Sequence, residues 1–299
     1  MALVLRCIRS RLPILVAARH ASGGPELGRF SGKRAIVTGG ASGIGYACAR
    51  RLGLDGATVA VFDINKEAGV KAVQQLRSEG SDAHFYECDV SEKATCAEQT
   101  EAFAKAEGEG KVHFLISNAV YFGSQALKAT DKDWSKSMAV NVVGASNMVQ
   151  SCHPFMLAAG GRGCSIVLLA SVSAHRAQPV RWTYSATKGA LHIMAKTMAL
   201  DLSADSIRVN SISPAWIWTP EVSKAAQGDR KTWEPVWGEP FHMVRRFGEA
   251  SEVASAAAFL LSDDASFITA TDLPVDGGYM AMGPEGLGEK SKFAGSDEE

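Results

Sequence analysis

A tyrosine and a lysine, Tyr184 and Lys188, stand four residues apart in a segment whose pattern predicts a helix over residues 182–203. Residues at this spacing share one face of a helix. A phenol with a pKa of about 10 is a poor base at neutral pH, but a nearby ammonium favours the phenolate and lowers that pKa. Such a pair could exchange a proton with an alcohol oxygen. Ordinary surface pairs have the same spacing, so this interpretation depends on the other motifs.

A glycine-rich segment, residues 38–45, follows the first predicted strand and opens the first predicted helix. Its glycines Gly39, Gly43 and Gly45 permit a tight turn and let the backbone approach a pyrophosphate closely. The N-terminus of the following helix offers free N–H groups and the positive end of the helix dipole. The spacing is Gly-x-x-x-Gly-x-Gly rather than the commoner Gly-x-Gly-x-x-Gly. A glycine-rich turn that binds no ligand is the alternative.

Asp63 ends the second predicted strand. A carboxylate at this place can accept hydrogen bonds from an adenosine ribose, and it would repel a 2′-phosphate. The glycine-rich segment contains no arginine or lysine, and Ile64 and Asn65 follow Asp63. These features favour NAD(H) over NADP(H). The alternative is that Asp63 caps the next helix, and it could serve both purposes.

Short β-branched runs alternate with longer helical patterns through the body of the chain. The alternation and the apolar character of the core strands predict an α/β fold with a doubly wound parallel sheet, whose ligands bind at the carboxyl ends of the strands. The predicted strands are Arg34–Thr38, Thr58–Asp63, Ala83–Cys88, Val112–Ser117, Ser165–Ala170, Arg208–Ile212 and Asp272–Val275. The predicted helices lie near residues 43–55, 66–79, 91–108, 131–159, 182–203 and 249–262, with Ser91 and Asp131 as N-caps.

Together these motifs resemble the short-chain dehydrogenase/reductase family over nearly all of residues 30–280. The most specific match is Tyr-x-x-x-Lys at Tyr184 and Lys188, with Ser171 upstream at the family's spacing for its catalytic serine. Further matches are Asn141 in Val140-Asn141-Val142, Asp89 in Cys88-Asp89-Val90, Asn118 in Ser117-Asn118-Ala119-Val120, Asn210 to Pro214, and Val275-Asp276-Gly277-Gly278.

The resemblance implies a single Rossmann-type domain over residues 30–280 with a seven-stranded sheet and a substrate lid at about 215–247. It implies that Tyr184 is the general acid/base, that Ser171 binds the substrate oxygen, and that Lys188 also holds the nicotinamide ribose. It gives Asn141 a water in a proton relay. The cofactor contacts implied are Gly39, Ser42, Gly43, Ile44, Gly45, Asp63, Asp89, Val90, Asn118, Tyr184, Lys188, Pro214, Ile217 and Thr219.

The expected function is hydride transfer between NAD(H) and a secondary alcohol or ketone. An NADPH-dependent carbonyl or 3-oxoacyl reductase is the alternative within enzymes. A non-catalytic NAD-binding or structural subunit is the alternative from another class, although the Asn-Ser-Tyr-Lys set is intact. The resemblance also implies a homotetramer or homodimer.

Several histidines and aromatic residues can be interpreted in more than one way. A hydrolase pair of Ser171 and His175 is disfavoured because no Gly-x-Ser-x-Gly surrounds the serine, so His175 is expected in the pocket wall. The remaining histidines lack metal-ligand spacing, and no metal is expected. The rings of the lid either line an apolar pocket or hold the lid against the body; they are Trp216, Trp218, Trp233, Trp237 and Phe241.

Three positions depart from the family pattern. Val120, Ala215 and Ala270 stand where the family has glycine. Val120 and Ala215 add bulk near the expected nicotinamide end, so they are predicted to affect substrate scope more than activity.

The composition of the 299-residue chain is globular, with 46% hydrophobic and 21% charged residues. A net charge of −1 gives no general attraction to nucleic acid, and no apolar run is long enough to predict a membrane span. Residues 1–22 contain arginines and no acidic residue, which favours a mitochondrial targeting segment and a matrix location. A cytoplasmic location and a secretory signal peptide are the alternatives. Residues 283–299 are predicted to be a mobile tail, and six cysteines without a CxxC pair suggest a reducing compartment.

Overall fold

The structure, a computed structural model, describes residues 28–123, 126–284 and 286–287. The predicted targeting segment, Cys7 and most of the predicted tail lie outside these residues. Within them the strands are β1 (Arg34–Thr38), β2 (Thr58–Asp63), β3 (Ala83–Glu87), β4 (Phe114–Ser117), β5 (Ser165–Leu169), β6 (Arg208–Pro214), β7 (Ile217–Trp218), β8 (Gly248–Glu249) and β9 (Asp272–Val275). The α-helices are α1 (Gly43–Leu54), α2 (Lys66–Ser78), α3 (Lys93–Ala106), α4 (Asp131–Met138), α5 (Gly144–Ala158), α6 (Trp182–Asp201), α7 (Pro220–Ala225), α8 (Arg230–Trp233) and α9 (Ala250–Leu261).

Seven strands form one parallel sheet in the order β3-β2-β1-β4-β5-β6-β9, which confirms the predicted doubly wound fold. The chain runs outward from β1 to β3 and then returns to place β4 on the other side of β1. In a parallel sheet, this reversal leaves a crevice beyond the carboxyl ends of the two central strands. The functional site is therefore expected beyond Thr38 and Ser117, the last residues of β1 and β4.

The sheet is buried on both faces, because successive residues of a strand point to opposite sides. Ala35 and Val37 of β1 join a core cluster with α1, α2 and α9, whereas Ile36 joins a second cluster with α3, α5 and α6. Both clusters consist of side chains with almost no exposed surface. This two-layer core holds the strand ends, and the loops that follow them, in fixed positions.

The segment predicted as one helix over 131–159 is interrupted by a π-helical turn, Ala139–Val143, between α4 and α5. The predicted N-cap Asp131 is wrong by one residue, since Thr130 and Asp133 form a reciprocal capping box. Ser91 is also not a cap: its N–H and hydroxyl donate to the Asp89 carboxylate, and α3 begins after Glu92.

The lid, residues 215–247, folds as β7, α7, α8 and a π-helical turn, and β8 follows it. Its tryptophans pack on one another, with ring centroids 4.2 Å apart for Trp233 and Trp237 and 5.6 Å apart for Trp216 and Trp237. Ion pairs of 2.7 Å join Arg230 to Glu249 and Arg246 to Glu252, so Arg246 is paired with an acid at the start of α9. The lid is thus attached to the body at several points.

The cysteines in the described residues are all free and buried; they are Cys48, Cys88, Cys96, Cys152 and Cys164. None of the described helices is both long and apolar enough to cross a bilayer.

Ala270 lies just before β9 with a φ of +59°, in the left-handed region that costs an alanine about 1–2 kcal/mol. Glycine tolerates this region, although it loses more backbone entropy on folding. We therefore expect Ala270→Gly to raise the free energy of unfolding by about 0.5–1 kcal/mol, measured by denaturant unfolding. Ala215→Gly is the matched control, because Ala215 also replaces a family glycine but is not in this region. Equal or lower stability of Ala270→Gly would show that the methyl packing outweighs the backbone strain.

Candidate active site

Two adjoining cavities lie beyond the carboxyl ends of the central strands, with volumes of about 520 and 300 Å³. Ile44, Asn118 and Thr219 line both, so the two form one continuous cleft. The larger cavity lies over the glycine-rich turn and the ends of β2 and β3. The smaller one contains Tyr184 and is covered by the lid. A two-part ligand, a cofactor and a substrate, fits such a cleft.

The turn between β1 and α1 lets the backbone approach a ligand, and its own neighbouring backbone, closely. Gly39 and Gly43 have φ values of +61° and +54°, and a Cβ on Gly45 would lie 2.1 Å from the Gly39 carbonyl oxygen. The α1 N-cap residue, Ser42, makes no side-chain capping hydrogen bond. The first N–H groups of α1 thus face the cleft without a side-chain acceptor, an arrangement that suits the diphosphate of a dinucleotide.

Polar side chains at the strand ends hold this turn in place. The Asp63 carboxylate accepts hydrogen bonds from the N–H of Ala41 (3.1 Å) and of Asn65 (2.9 Å), while Asn65 itself caps α2. Asn118 donates from its side chain to the carbonyls of Thr38 and Gly39, both at 3.1 Å. Asp63 therefore supports the turn and also lines the cleft.

Tyr184, Lys188 and Ser171 meet in the smaller cavity. Tyr184 lies in the first turn of α6, and the Lys188 ammonium is one turn further on, 5.6 Å from the tyrosine ring centroid. Ser171 follows β5 in extended backbone, where its hydroxyl oxygen accepts from the Ser173 N–H at 3.1 Å. Its proton remains available for a hydrogen bond to the Tyr184 oxygen.

Burial raises the pKa of Tyr184 above its usual value, while the hydrogen bond from Ser171 and the charge of Arg181 act in the opposite direction. Burial also lowers the pKa of Lys188 to about 7. Lys188 is 3% exposed, and its ammonium donates to the Leu169 carbonyl at 2.5 Å. Without a bound ligand the phenol is thus protonated near neutral pH and suited to donate a proton.

Asn141 lies in the π-helical turn and is 2% exposed. Its side chain exchanges hydrogen bonds with the backbone of Tyr121 (2.7 and 3.1 Å) and donates to the Thr187 hydroxyl at 3.0 Å. The amide nitrogen therefore donates two hydrogen bonds within the protein, and the amide oxygen accepts one. It connects the loop after β4 to the segment of α6 between Tyr184 and Lys188, and it does not line either cavity.

Most of the residues predicted to contact the cofactor line the cleft. Gly45 does not, because it lies beneath the turn against the Gly39 carbonyl. The predicted cofactor residues at the cleft surface are Gly39, Ser42, Gly43, Ile44, Asp63, Asp89, Val90, Asn118, Tyr184, Lys188, Pro214, Ile217 and Thr219.

The aromatic residues of the lid were expected either to line an apolar pocket or to hold the lid against the body, and the structure contains both kinds. Trp216 lines the smaller cavity, while Trp218, Trp233, Trp237 and Phe241 do not and instead pack within or beneath the lid.

Two features of the site were missed or wrongly predicted. Phe122 stacks on Tyr184, with ring centroids 5.5 Å apart and planes 21° apart, and only its place shortly after Asn118 could have indicated this. His175 is not in the wall of the cavity as predicted. Its ring turns to Asp272 of β9, 3.0 Å away.

Comparison with known proteins agrees with this geometry. Residues 39–280 match the family model described as enoyl-(acyl carrier protein) reductase. The chain is 34% identical to a tropinone reductase homolog of Datura stramonium over 275 residues, covering 90% of this chain and 99% of that protein. It is 32% identical to the cyclopentanol dehydrogenase of Comamonas testosteroni over 263 residues, 85% of this chain and all of the relative. The crystal structure of gox2181 superposes with a TM-score of 0.77 at 29% identity, covering 84% of this chain and 96% of that one.

The chain therefore belongs to the short-chain dehydrogenase/reductase family, as its motifs predicted. Oxidoreductases of this family use nicotinamide cofactors, and the turn and cleft described above fit such a group.

The buried ammonium leads to a prediction about stability. The pKa of Lys188 falls from 10.5 in the unfolded chain to about 7 in the folded protein, so the unfolded chain binds more protons between these pH values. This destabilising contribution is complete below pH 7 and is relieved as the pH rises towards 10.5. We expect Lys188→Met to be more stable than the wild type at pH 7 by about 1–4 kcal/mol, with the difference shrinking as the pH rises.

Denaturant unfolding at pH 7, 8 and 9 measures this difference. Lys196→Met is the control, because Lys196 lies on the same helix but is exposed. A Lys188→Met protein that is less stable than the wild type at pH 7, or a difference independent of pH, contradicts the prediction.

Proposed function

We propose that this protein is an NAD(H)-dependent dehydrogenase or ketoreductase that acts on a compact, ring-shaped secondary alcohol or the corresponding ketone. The observation that carries the proposal is the meeting of Ser171, Tyr184 and Lys188 at one end of a cleft whose other end is a glycine-rich, phosphate-binding turn. The names of the cyclopentanol dehydrogenase and tropinone reductase relatives support a cyclic substrate.

Tyr184 carries the proton transfer in this proposal. Its oxygen takes the proton of the substrate hydroxyl during oxidation and returns it to the carbonyl oxygen during reduction. The Lys188 ammonium, one helix turn away, stabilises the phenolate, and the Ser171 hydroxyl donates to the same substrate oxygen. A bound nicotinamide supplies or accepts the hydride. Asn141 is a positioning residue, because it holds Thr187, the residue before Lys188.

The walls of the smaller cavity favour an apolar substrate. Tyr184 is flanked by Phe122, and Val120 and Trp216 contribute further apolar surface. Polar side chains also line the cavity, among them Arg181, Glu221 and Gln178, and Gln178 is held by the Ser173 hydroxyl at 2.6 Å. A small ring can cover such walls and present one oxygen to Ser171 and Tyr184. A long acyl thioester, the substrate of the alternative 3-oxoacyl reductase, would have to extend out of a cavity of about 300 Å³.

The choice of NAD(H) rests on Asp63. Its carboxylate lines the cleft at the end of β2, where an added phosphate on the ribose would meet a like charge. Among the described residues that line this cavity, Lys136 is the one cation, and it lies on α4 over the Tyr121 ring at 4.5 Å. It is neither on β2 nor in the turn that follows.

Replacement of Tyr184 by phenylalanine tests the reaction. We expect Tyr184→Phe to lower kcat about 10²–10⁴-fold for cyclopentanol or cyclohexanol with NAD⁺, because the general acid/base is removed. The thermal shift produced by NAD⁺ should persist. Tyr86→Phe is the control, since the partly buried Tyr86 packs between Phe62 and Phe103 and does not line the cleft. The panel also includes a linear polyol and a 3-hydroxyacyl thioester.

Full activity of Tyr184→Phe would refute the assigned role. Turnover of the thioester alone would favour the 3-oxoacyl reductase. If the wild type turned over none of the substrates while NAD⁺ still raised its melting temperature, the non-catalytic subunit would be favoured.

Cofactor choice has its own test. We expect Asp63→Asn to bind NAD⁺ about tenfold more weakly and NADP⁺ more tightly than the wild type, because the charge that repels a 2′-phosphate is gone while the size of the side chain is kept (roughly 1.4 kcal/mol for each tenfold change). Calorimetry with both cofactors measures the ratio. Glu87→Gln is the control, because Glu87 lies opposite Asp63 on β3 but does not line the cavity. A wild type that prefers NADP⁺ would overturn the NAD(H) assignment.

A further inference from the structure

A second cluster of reactive side chains lies next to the active site but outside the cleft. It consists of His175, His192 and Asp272, whose ligand atoms all lie within 4.8 Å of one another. The Asp272 carboxylate oxygen Oδ2 is 3.0 Å from Nε2 of His175 and 3.8 Å from Nδ1 of His192. The two imidazole rings meet edge to face with centroids 4.6 Å apart. The proposed reaction uses none of these groups.

The carboxylate is held so that one oxygen faces the histidines. Its other oxygen, Oδ1, accepts hydrogen bonds from the hydroxyls of Ser211 (2.5 Å) and Ser213 (3.0 Å). Asp272 has 8% of its side chain exposed, so the two hydroxyls fix its orientation in a largely dry setting. A second shell of this kind orients ligands in metal sites.

One ligand atom of the cluster makes no close hydrogen bond, and its ion-pair partner, Asp272 Oδ2, is 3.8 Å away. The Nδ1 atom of His192 is buried and finds no hydrogen bond in the described part of the chain. A buried polar nitrogen without a close hydrogen bond is destabilising. This nitrogen lies beside a carboxylate oxygen that a second imidazole already approaches.

We propose that His175, His192 and Asp272 bind a divalent transition-metal ion of the zinc class. Ligand atoms around tetrahedral zinc are separated by about 3.3 Å, given metal–ligand bonds of about 2.0–2.1 Å. The observed separations from Asp272 Oδ2, 3.0 and 3.8 Å, lie on either side of this value. His175 is 26% exposed, which leaves a route for the ion and a fourth position for water.

The ion would join three parts of the active-site framework. His175 follows the turn that begins at Ser171, and His192 lies one helix turn beyond Lys188. Asp272 lies on the edge strand β9. The bound metal would therefore restrain the serine segment and the tyrosine–lysine helix against the sheet, from outside the cleft. It has a positioning role and takes no part in proton transfer.

Cobalt(II) titration of chelator-treated, full-length protein tests the site. We expect saturable binding of one Co²⁺ per chain, with visible d–d absorption, no sulfur-to-cobalt charge-transfer band, and displacement by Zn²⁺. His192→Gln and Asp272→Asn should each weaken binding at least tenfold. Zn²⁺ should raise the melting temperature of the wild type but not of these variants. None of these measurements depends on enzyme activity.

The control is His153→Gln. His153 forms a 2.8 Å pair with Asp205, much like that of His175 with Asp272, but it belongs to no three-ligand cluster in the described residues. It should bind Co²⁺ like the wild type. Circular dichroism checks that the variants fold, and His175→Gln replaces any that does not. Absence of one-to-one binding, a sulfur-to-cobalt band, or unchanged affinity in the ligand variants would overturn the proposal.

Discussion

The burial of one positive charge is the constraint on which the active site depends. Lys188 must carry its ammonium into a space with almost no solvent, and the Leu169 carbonyl at the end of β5 is the acceptor that meets it there. Desolvating an ammonium costs several kcal/mol, so the surrounding sheet and helices must supply that stability. Burial also raises the pKa of Tyr184, so desolvation acts on both groups and favours their neutral forms. The buried lysine therefore lowers stability at the place where Ser171 and Tyr184 meet.

The cofactor end of the cleft depends on a different constraint, the close contact of backbone with backbone. A side chain at Gly45 would overlap the Gly39 carbonyl, so α1 can begin this near to β1 only with glycine there. Asp63 and Asn118 then fix the turn from the two neighbouring strands. The turn is rigid because it is bonded on both sides, and its free helix N–H groups keep a constant direction. Binding a diphosphate there requires little further ordering.

The sequence was sufficient to predict structure wherever the pattern that indicates it lies within one segment of the chain. The strand-and-helix alternation predicted the order and type of the main elements, and the Tyr-x-x-x-Lys spacing placed Tyr184 on the same helix as Lys188. The sequence was insufficient to predict contacts that depend on packing between distant segments. The stacking of Phe122 on Tyr184, the hydrogen bonds of the Asn141 amide and the turning of His175 towards β9 all depend on how distant loops meet. Periodicity carries no information about such contacts.

The geometry of α6 links the two polar clusters. One helical turn separates Lys188 from His192, and the turn after β5 separates Ser171 from His175, so both histidines are displaced from the reacting groups towards the same edge strand. The segments that bring the serine and the lysine together must therefore also bring the histidines together. A shift of α6 along its axis would change both sets of distances at once. The contacts that hold the histidine pair against Asp272 therefore also limit how far Ser171 can move from Tyr184, the two groups that must meet at one substrate oxygen in the proposed reaction.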